Sequence, residues 1–355
     1  MEKLRARNIM VASAVLGLLL LAPMILSSSD QRLIARILVL GLLALSLNIL
    51  VGNTGIVSFG HGLFYGTGAY TVSLLWLHLE ISPMLALVIA PCTGALFAAI
   101  GGLVAFRAKR LYFGLLTLAL SQFGFVLATQ WYGLTQGENG IYGVQLPSWL
   151  MSTDARYWFI LAVFTGATLL MWAIIASPFG TTLRAIRDNR ERVAFLGINP
   201  IRYEYLAFVL SGAFAGLAGA LLILLDQNSF PALFHWTTSA EPLLMIVIGG
   251  AHTFFGPVVG AFIVIFVQDF LQGVTGHINL IYGLVVVVIA VAAPRGLIGT
   301  GASAVTRIAG WWQTRTEEDP QTQVDDSLQE QASPEHAAAG SVPKNLKTRT
   351  TRDRK

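Results

Sequence analysis

The sequence predicts an all-α polytopic membrane protein of about ten transmembrane or broken helices with a disordered C-terminal tail. Three observations lead there. Of 355 residues, 55% are hydrophobic and 12% charged, with a mean hydropathy of +0.66, too few charges to cover a soluble globule of that size. The apolar residues fall in stretches near bilayer-crossing length. The basic residues cluster beside those stretches, as membrane topology requires. The net charge of +4 does not point to nucleic acid, because no basic patch is interleaved with aromatics.

In chain order, the apolar stretches run from Ile9 to Leu26, Leu33 to Val51, Ile56 to Leu77, Met84 to Phe106, Leu111 to Trp131, Tyr157 to Ala176, Tyr205 to Leu225, Pro242 to Phe255, Pro257 to Leu271 and Leu280 to Ala293. The first follows a basic start but lacks a good small-residue cleavage site, so it is expected to stay as an uncleaved span. Lys3, Arg5 and Arg7 place the N-terminus in the cytoplasm, and alternation then brings Arg107, Lys109, Arg110 and the loop at 177–205 to the same side. Arg295, Arg307 and Arg315 agree, so both termini are expected inside; Arg32, Arg36 and Arg156 fall near the outer face and run against the rule. Residues 1–300 read as one transmembrane domain. Residues 301–355 read as a cytoplasmic, largely disordered tail, since from Gln313 onward almost no large apolar residue is available to bury.

The one long charged passage between spans runs from Ser177 to Tyr205. A cap residue followed by proline starts a helix at Ser177 and Pro178, and Gly197 and Pro200 stop it. At about 100° per residue, Leu183, Ile186 and Val193 share one side, while Arg184, Arg187, Asp188, Glu191 and Arg192 take the other. Arg190 intrudes on the apolar edge. Such a helix either lies on anionic headgroups or docks a partner.

Two apolar segments are interrupted by glycine or proline in similar ways. Gly55, Ser58, Phe59, Gly60, Gly66 and Ala69 echo Gly250, Thr253, Phe255, Gly256, Gly260 and Ala261. Breaks of this kind free backbone groups that can line a path, the alternative being close helix packing by small residues. Polar groups within the spans are few, and Asn48, His61, Gln122, Gln268 and Asp269 stand out as groups that face a bundle interior or a watery path. Asn48, Ser58, Gly60, His61, Gln122, Thr253 and Gly256 are the candidate path residues.

Several chemistries are excluded. No phosphate-cradling G-x-x-x-x-G-K-[ST] occurs, so the chain does not itself bind and hydrolyse ATP. Five of its histidines, His61, His78, His235, His252 and His277, lack metal-ligand spacing. Cys92 is the only cysteine, which removes a disulfide framework and a cysteine-based metal site. With Asp269 the only carboxylate noted inside the spans, a proton-coupled pump is disfavoured.

The passage carrying Ser177, Pro178, Phe179, Gly180, Leu183, Arg184, Ala185, Ile186, Arg187, Asn189, Ala194, Leu196, Gly197, Ile198 and Asn199 resembles the cytoplasmic loop of the inner-membrane permeases of branched-chain amino acid ABC transporters, the LivM and LivH type. Residues 207–222, 47–70, 111–120 and 294–299 are similar to the same family in the same order. In the outer loop, Thr135, Gly137 and Gly140 match the family's T-G-G-x-x-G-L motif, while Gln136 and Ile141 depart from it. The resemblance implies a permease subunit, not an enzyme, of a binding-protein-dependent importer for branched-chain or other hydrophobic amino acids in the bacterial inner membrane. It implies as partners two ATP-binding cassette subunits, a second homologous permease and a periplasmic amino-acid-binding protein, with membrane lipid around them and no nucleic acid. It implies no cofactor on this chain, ATP being handled by the partners. It also implies an ATPase-coupling loop made by Phe179, Gly180, Leu183, Arg184, Ile186, Arg187, Glu191 and Leu196, whose apolar side, with Leu183, is expected to enter a groove on the ATPase. A permease of the same superfamily for urea, another amide or an aromatic acid is the alternative; a stand-alone channel or secondary transporter is the rival from another class.

Overall fold

A central pair of long antiparallel helices organises the bundle. The structure is a computed structural model that describes residues 26–108 and 110–272, with scattered residues at 17–23 and 281–297. The stretches at 9–26 and 280–293 lie largely outside the described residues, and the tail from 301 lies wholly outside them. Numbering starts at the first helix with described bounds. α1 spans Ser28–Thr54, α2 His61–Leu79, α3 Pro83–Ala105, α4 Arg110–Gln130 and α5 Thr153–Ala176. The charged passage forms α6, Pro178–Asp188, and α7, Arg190–Phe195. α8 spans Pro200–Asp226, α9 Trp236–Gly249 and α10 Gly256–Gln272.

Five of these, α1, α3, α4, α5 and α8, are long and apolar enough to cross a membrane. The protein is a multi-pass membrane protein, and its outward-facing side chains fit that setting: Leu85, Val88, Leu96, Ile100 and Leu103 of α3 are all exposed and all apolar. Local signals set the helix ends. Ser27 caps α1 by accepting from the Asp30 amide at 3.3 Å, and Gly55 closes it in the left-handed region at φ 70°, which glycine reaches without a Cβ clash. Asn199 caps α8 ahead of Pro200 at its first position.

α1 and α8 are each 27 residues long. They run antiparallel, joined where Ser211 Oγ, near the middle of α8, donates at 2.5 Å to the Ser46 carbonyl in the second half of α1. Small residues let the backbones close in: a Cβ on Gly68 of α2 would overlap the Gly216 carbonyl of α8, and one on Gly94 of α3 would overlap that of Gly212. Each long helix is followed by an irregular stretch that turns back into the bundle and then by a shorter helix, α2 after α1 and α9 after α8. The N-termini of these shorter helices meet, with the Gly62 amide donating to Ser239 Oγ at 2.6 Å. From that junction they diverge. α9 leads to residues 250–255, which pack on Gly52, while α2 ends where His78 Nε2 meets the Leu134 carbonyl at the other face.

The stretch Ile56–Leu77 is therefore not one crossing. Residues 55–60 are irregular and the helix begins at His61, because Gly55 and Gly60 flank a run too short to restart a helix. Nor is Pro242–Phe255 a crossing; α9 holds 14 residues, about 21 Å of helix.

Candidate functional site

The expected single helix between α5 and α8 is two helices. Asn189 stands extended at φ −157°, ψ 99° and its side chain accepts from the Arg192 amide, so it ends α6 and caps α7. Leu183 and Ile186 are fully buried and Val193 is 4% exposed. These residues seat the loop on its own bundle, each contributing about 1.5–3 kcal/mol. This corrects the expectation that Leu183 enters a partner's groove: an apolar stripe records only that something covers it, and here the cover is the same chain. What remains apolar and open is the end of α7, where Phe195 is 90% exposed and Leu196 75%.

The polar residues of the loop are anchors as well. Phe179 stacks on Tyr203 of α8 with ring centroids 5.8 Å apart. Gly180 admits no Cβ against the Ile175 carbonyl, and that same carbonyl accepts from Arg184 Nη1 at 3.0 Å. Arg187 Nη1 donates to the Gly52 carbonyl at 2.6 Å, 135 positions earlier and in the last turn of α1. The intruding Arg190 has a partner that the sequence did not announce: its Nε and Nη2 each meet a carboxylate oxygen of Glu204 at 3.2 Å, and Glu204 is 2% exposed. Only Glu191 and Leu196 of the expected coupling residues are left exposed.

The candidate path residues fall around two irregular segments. In the first, Ser58 Oγ accepts from the Gly60 amide at 3.2 Å, and the Phe59 amide donates to Thr117 Oγ1 of α4 at 3.1 Å. Gly60 is the residue before α2, and His61 is its first. His61 Nε2 lies 2.6 Å from Ser211 Oγ. Because Ser211 spends its proton on the Ser46 carbonyl, the imidazole must be the donor, which leaves Nδ1 as a bare acceptor. That atom is buried without a partner, as is Asn48 Oδ1. In the second segment, Thr253 Oγ1 donates to the Gly250 carbonyl at 3.1 Å, and Gly256 opens α10.

The second segment touches the last turn of α1, just ahead of the first. A Cβ on Gly52 would meet both Asn48 Oδ1 and the Ala251 carbonyl, so Asn48 and the second break meet at the last turns of α1, which lead into the first break. Gln122 stands apart on α4, its Oε1 buried and unpaired. Four serines that sequence reasoning passed over, Ser46, Ser121, Ser211 and Ser239, hold the centre together; Ser121 Oγ donates to the Phe234 carbonyl at 2.7 Å. Nothing in an apolar run marks a serine as special. Glu204 and Glu241 escaped for a different reason, each sitting one residue before an apolar stretch that begins at Tyr205 or Pro242. Among the described residues, no group of histidines, cysteines and carboxylates could hold a metal ion.

The outer loop is tied down by backbone. Ile141 and Ser229 exchange both amide bonds at 2.9 and 2.8 Å, and Thr135 Oγ1 donates to the Ala128 carbonyl at 2.7 Å. Gln136, Gly137 and Gly140 all have positive φ, so the motif residues in this loop shape it.

Residues 31–293 match the family described as the permease component of branched-chain amino acid transport systems. The chain is 26% identical over 306 residues to the high-affinity branched-chain amino acid transport system permease protein LivM of Salmonella typhimurium, covering 78% of this chain and 71% of that one. It is 27% identical over 315 residues to the protein of the same name in Escherichia coli, covering 80% and 73%. It is also similar to the guanosine ABC transporter permease protein NupQ of Bacillus subtilis, at 27% identity over 48% of this chain and 59% of that one. No solved structure matches the chain.

Proposed function

The chain belongs to the permease-component family of branched-chain amino acid transport systems, and on that premise we propose that it is one permease of a binding-protein-dependent ABC importer for branched-chain amino acids. A second homologous permease would pair with it, one of two ATPase subunits would dock on the α6–α7 loop of this chain and the other on the second permease, and a periplasmic receptor would deliver substrate at the opposite face. ATP would be bound and hydrolysed by the ATPase subunits. In this reading the protein sits in the bacterial inner membrane with the α6–α7 loop and both termini in the cytoplasm, residues 1–300 forming the permease domain and 301–355 a tail.

The observation that carries the reading is the bond from Arg187 of α6 to the Gly52 carbonyl. It joins the loop expected to meet the motor directly to the place where α1 ends and the first break begins. The buried face of α6 and the Arg190–Glu204 pair make the loop move as one piece with α1 and α8. Phe195 and Leu196 offer the surface that an ATPase would cover, and covering them would remove two large apolar side chains from water. A shift of the loop on ATP binding would then pull on the end of α1, from which the first break starts and on which the second packs, and alter the junction between α2 and α9, opening the path to one side at a time.

The test is reconstitution of the full complex with its receptor in proteoliposomes. Leucine uptake should require ATP, and Phe195→Asp with Leu196→Asp should release the ATPase on purification while Glu191→Gln does not. Uptake by the purified chain alone would favour a channel or secondary transporter. The similarity to a guanosine permease supports a second substrate reading within the same class, to be settled by whether guanosine competes with leucine. Orientation is checked in a Cys92→Ser background: Asn139→Cys should label from outside with an impermeant thiol reagent, and Asn189→Cys only after permeabilisation.

A further inference from the structure

At the coupling-loop end of the bundle, the last turn of α3 and the first two turns of α8 leave an open groove of about 470 Å³ between them, within the roughly 300–1,000 Å³ of small-molecule sites. The two helices run antiparallel: a Cβ on Gly94 would overlap the Gly212 carbonyl, and one on Gly102 would come within 2.9 Å of the Tyr205 ring. With no side chain at Gly102, that ring lies against α3, where its hydroxyl donates to the Ala99 carbonyl at 3.0 Å. Phe106 meets the Tyr205 ring edge-on at 5.9 Å and the Phe208 ring at 5.7 Å. Aromatic packing thus fixes the floor of the groove, and Leu103 and Leu206, each more than half exposed, stand at its sides.

The charged side chains of the groove have one sign. Arg107 directly follows the cap of α3 at Phe106, Arg202 lies in the first turn of α8, and both line the groove and are exposed. Among the described residues, neither guanidinium has a hydrogen-bond or ion-pair partner. A helix N-terminus favours an anion and disfavours a cation, so Arg202 stands where an anion is attracted both by the side chain and by the helix. The chain supplies none there: Asp188 pairs with Arg187 and Glu204 with Arg190, and no carboxylate occurs from Ile81 to Gly137. Away from Arg107, α3 carries an exposed apolar row, Leu103, Ile100 and Leu96, at the three- and four-residue spacing of one helix face. From Arg107 back to Leu96 is about 16 Å of helix, close to half of the roughly 30 Å hydrocarbon core of a bilayer.

An occupant that satisfies both parts has one anionic end and an apolar body as long as one leaflet is deep. We propose that this groove binds an anionic phospholipid, phosphatidylglycerol in its simplest form, with Arg107 and Arg202 taking the phosphate and an acyl chain lying over Phe106 and Tyr205 and along Leu103, Ile100 and Leu96. The site goes beyond the importer reading and does not depend on which substrate is carried. A free phosphate would use the arginines and leave the apolar walls uncovered. A second copy of this chain would bring like charge to like charge, since residues 177–205 carry five arginines against three carboxylates.

The test is the purified complex in mixed micelles of phosphatidylglycerol and phosphatidylcholine with the same acyl chains, read by native mass spectrometry as the ratio of the two lipids bound. Wild type should favour phosphatidylglycerol about 25-fold, each arginine contributing about fivefold. Arg107→Gln and Arg202→Gln should each lower the preference about fivefold, Arg107→Lys and Arg202→Lys should keep most of it, and Arg192→Gln, which removes an exposed cation of α7 outside the groove, should leave it within about twofold. Leu103→Trp keeps both charges, fills the groove and should lower the amount of phosphatidylglycerol bound. Because the ratio is read on complex that has been recovered, a variant that assembles poorly still reports on the site. Equal binding of the two lipids by wild type, or the same loss in Arg192→Gln as in Arg202→Gln, overturns the site and leaves only diffuse surface charge. Displacement of the lipid by an equal concentration of glycerol phosphate would make it a free-phosphate site, and cross-linking of Leu103→Cys, in the Cys92→Ser background, to another subunit would make it a protein interface; either result overturns the lipid site.

Discussion

The two irregular segments at the centre of the protein look alike in sequence and are held in different ways. Residues 55–60 have one turn of their own, the Gly60 amide donating to Ser58 Oγ, and are also bound from outside: Arg187 of α6 grips the Gly52 carbonyl just before them, and Thr117 of α4 accepts from the Phe59 amide within them. Residues 250–255 are bound from inside, by their own turns, with the Thr253 amide donating to the Gly250 carbonyl at 3.3 Å and the Gly256 amide to the Thr253 carbonyl at 3.3 Å. The first segment can therefore be moved by helices remote in sequence. The second follows through contact at Gly52 and Ala251. A glycine-rich interruption is thus one sequence signal with two mechanical meanings, decided by which neighbours reach it.

The largest effect should come from cutting the external grip. Arg187→Met keeps the aliphatic stem and removes the charged donor, which is worth about 1.5–3 kcal/mol, or roughly 10- to 100-fold in a coupled rate. Uptake per ATP hydrolysed should fall by that order while the ATPases still co-purify. Loss of the ATPases instead would mean that Arg187 belongs to the docking surface and that the first segment is not driven through it.

Substituting the two glycines sharpens the comparison next. A Cβ on Gly256 would overlap the Gly250 carbonyl, whereas one on Gly60 would lie 3.1 Å from Thr117 Cβ and from the Thr117 carbonyl. Gly256→Ala should therefore strain backbone against backbone, cost about 1–3 kcal/mol and reduce the amount of complex recovered. Gly60→Ala should be recovered nearly normally and depress normalised uptake, because the crowded neighbour is α4, which has to shift if the first segment moves. Equal loss of recovery in both variants would mean that the two segments are held alike.

The sequence revealed much of this architecture and concealed the rest for identifiable reasons. Span positions, the charged loop and the two interruptions follow from hydropathy and from glycine and proline, which act locally. The seat of α6 was readable as an apolar stripe through Leu183, Ile186 and Val193, but periodicity does not say which chain covers a stripe, and the exposed Phe195 and Leu196 at the end of α7 carry no period at all. The split at Asn189 depends on one side chain capping the amide three residues on, a choice available to any asparagine. Arg190 and Glu204 are 14 positions apart, and their pairing depends on how α7 packs on α8. The pairing of α1–α2 with α8–α9 was hidden because it lies in helix lengths and directions, while the visible echo of Gly60 in Gly256 concerns a different pair of segments.

The smallest effects should come from two threonines that do the same kind of work in the two segments. Thr117 Oγ1 accepts from the Phe59 amide at 3.1 Å and donates to the Gly114 carbonyl at 2.9 Å. In Thr117→Val the Phe59 amide loses its acceptor in a partly buried place, and such an orphaned donor costs about 1–3 kcal/mol. Thr253→Val removes only a donor, because the Gly250 carbonyl keeps the bond from the Thr253 amide, and so should cost about 0.5–1 kcal/mol. Normalised uptake should fall at least about fivefold in the first variant and about two- to fivefold in the second. The order matters more than either size. If Thr253→Val were the more damaging, the second segment would need a hydrogen bond that its own backbone already supplies, and the contrast between an externally held and a self-held break would be lost.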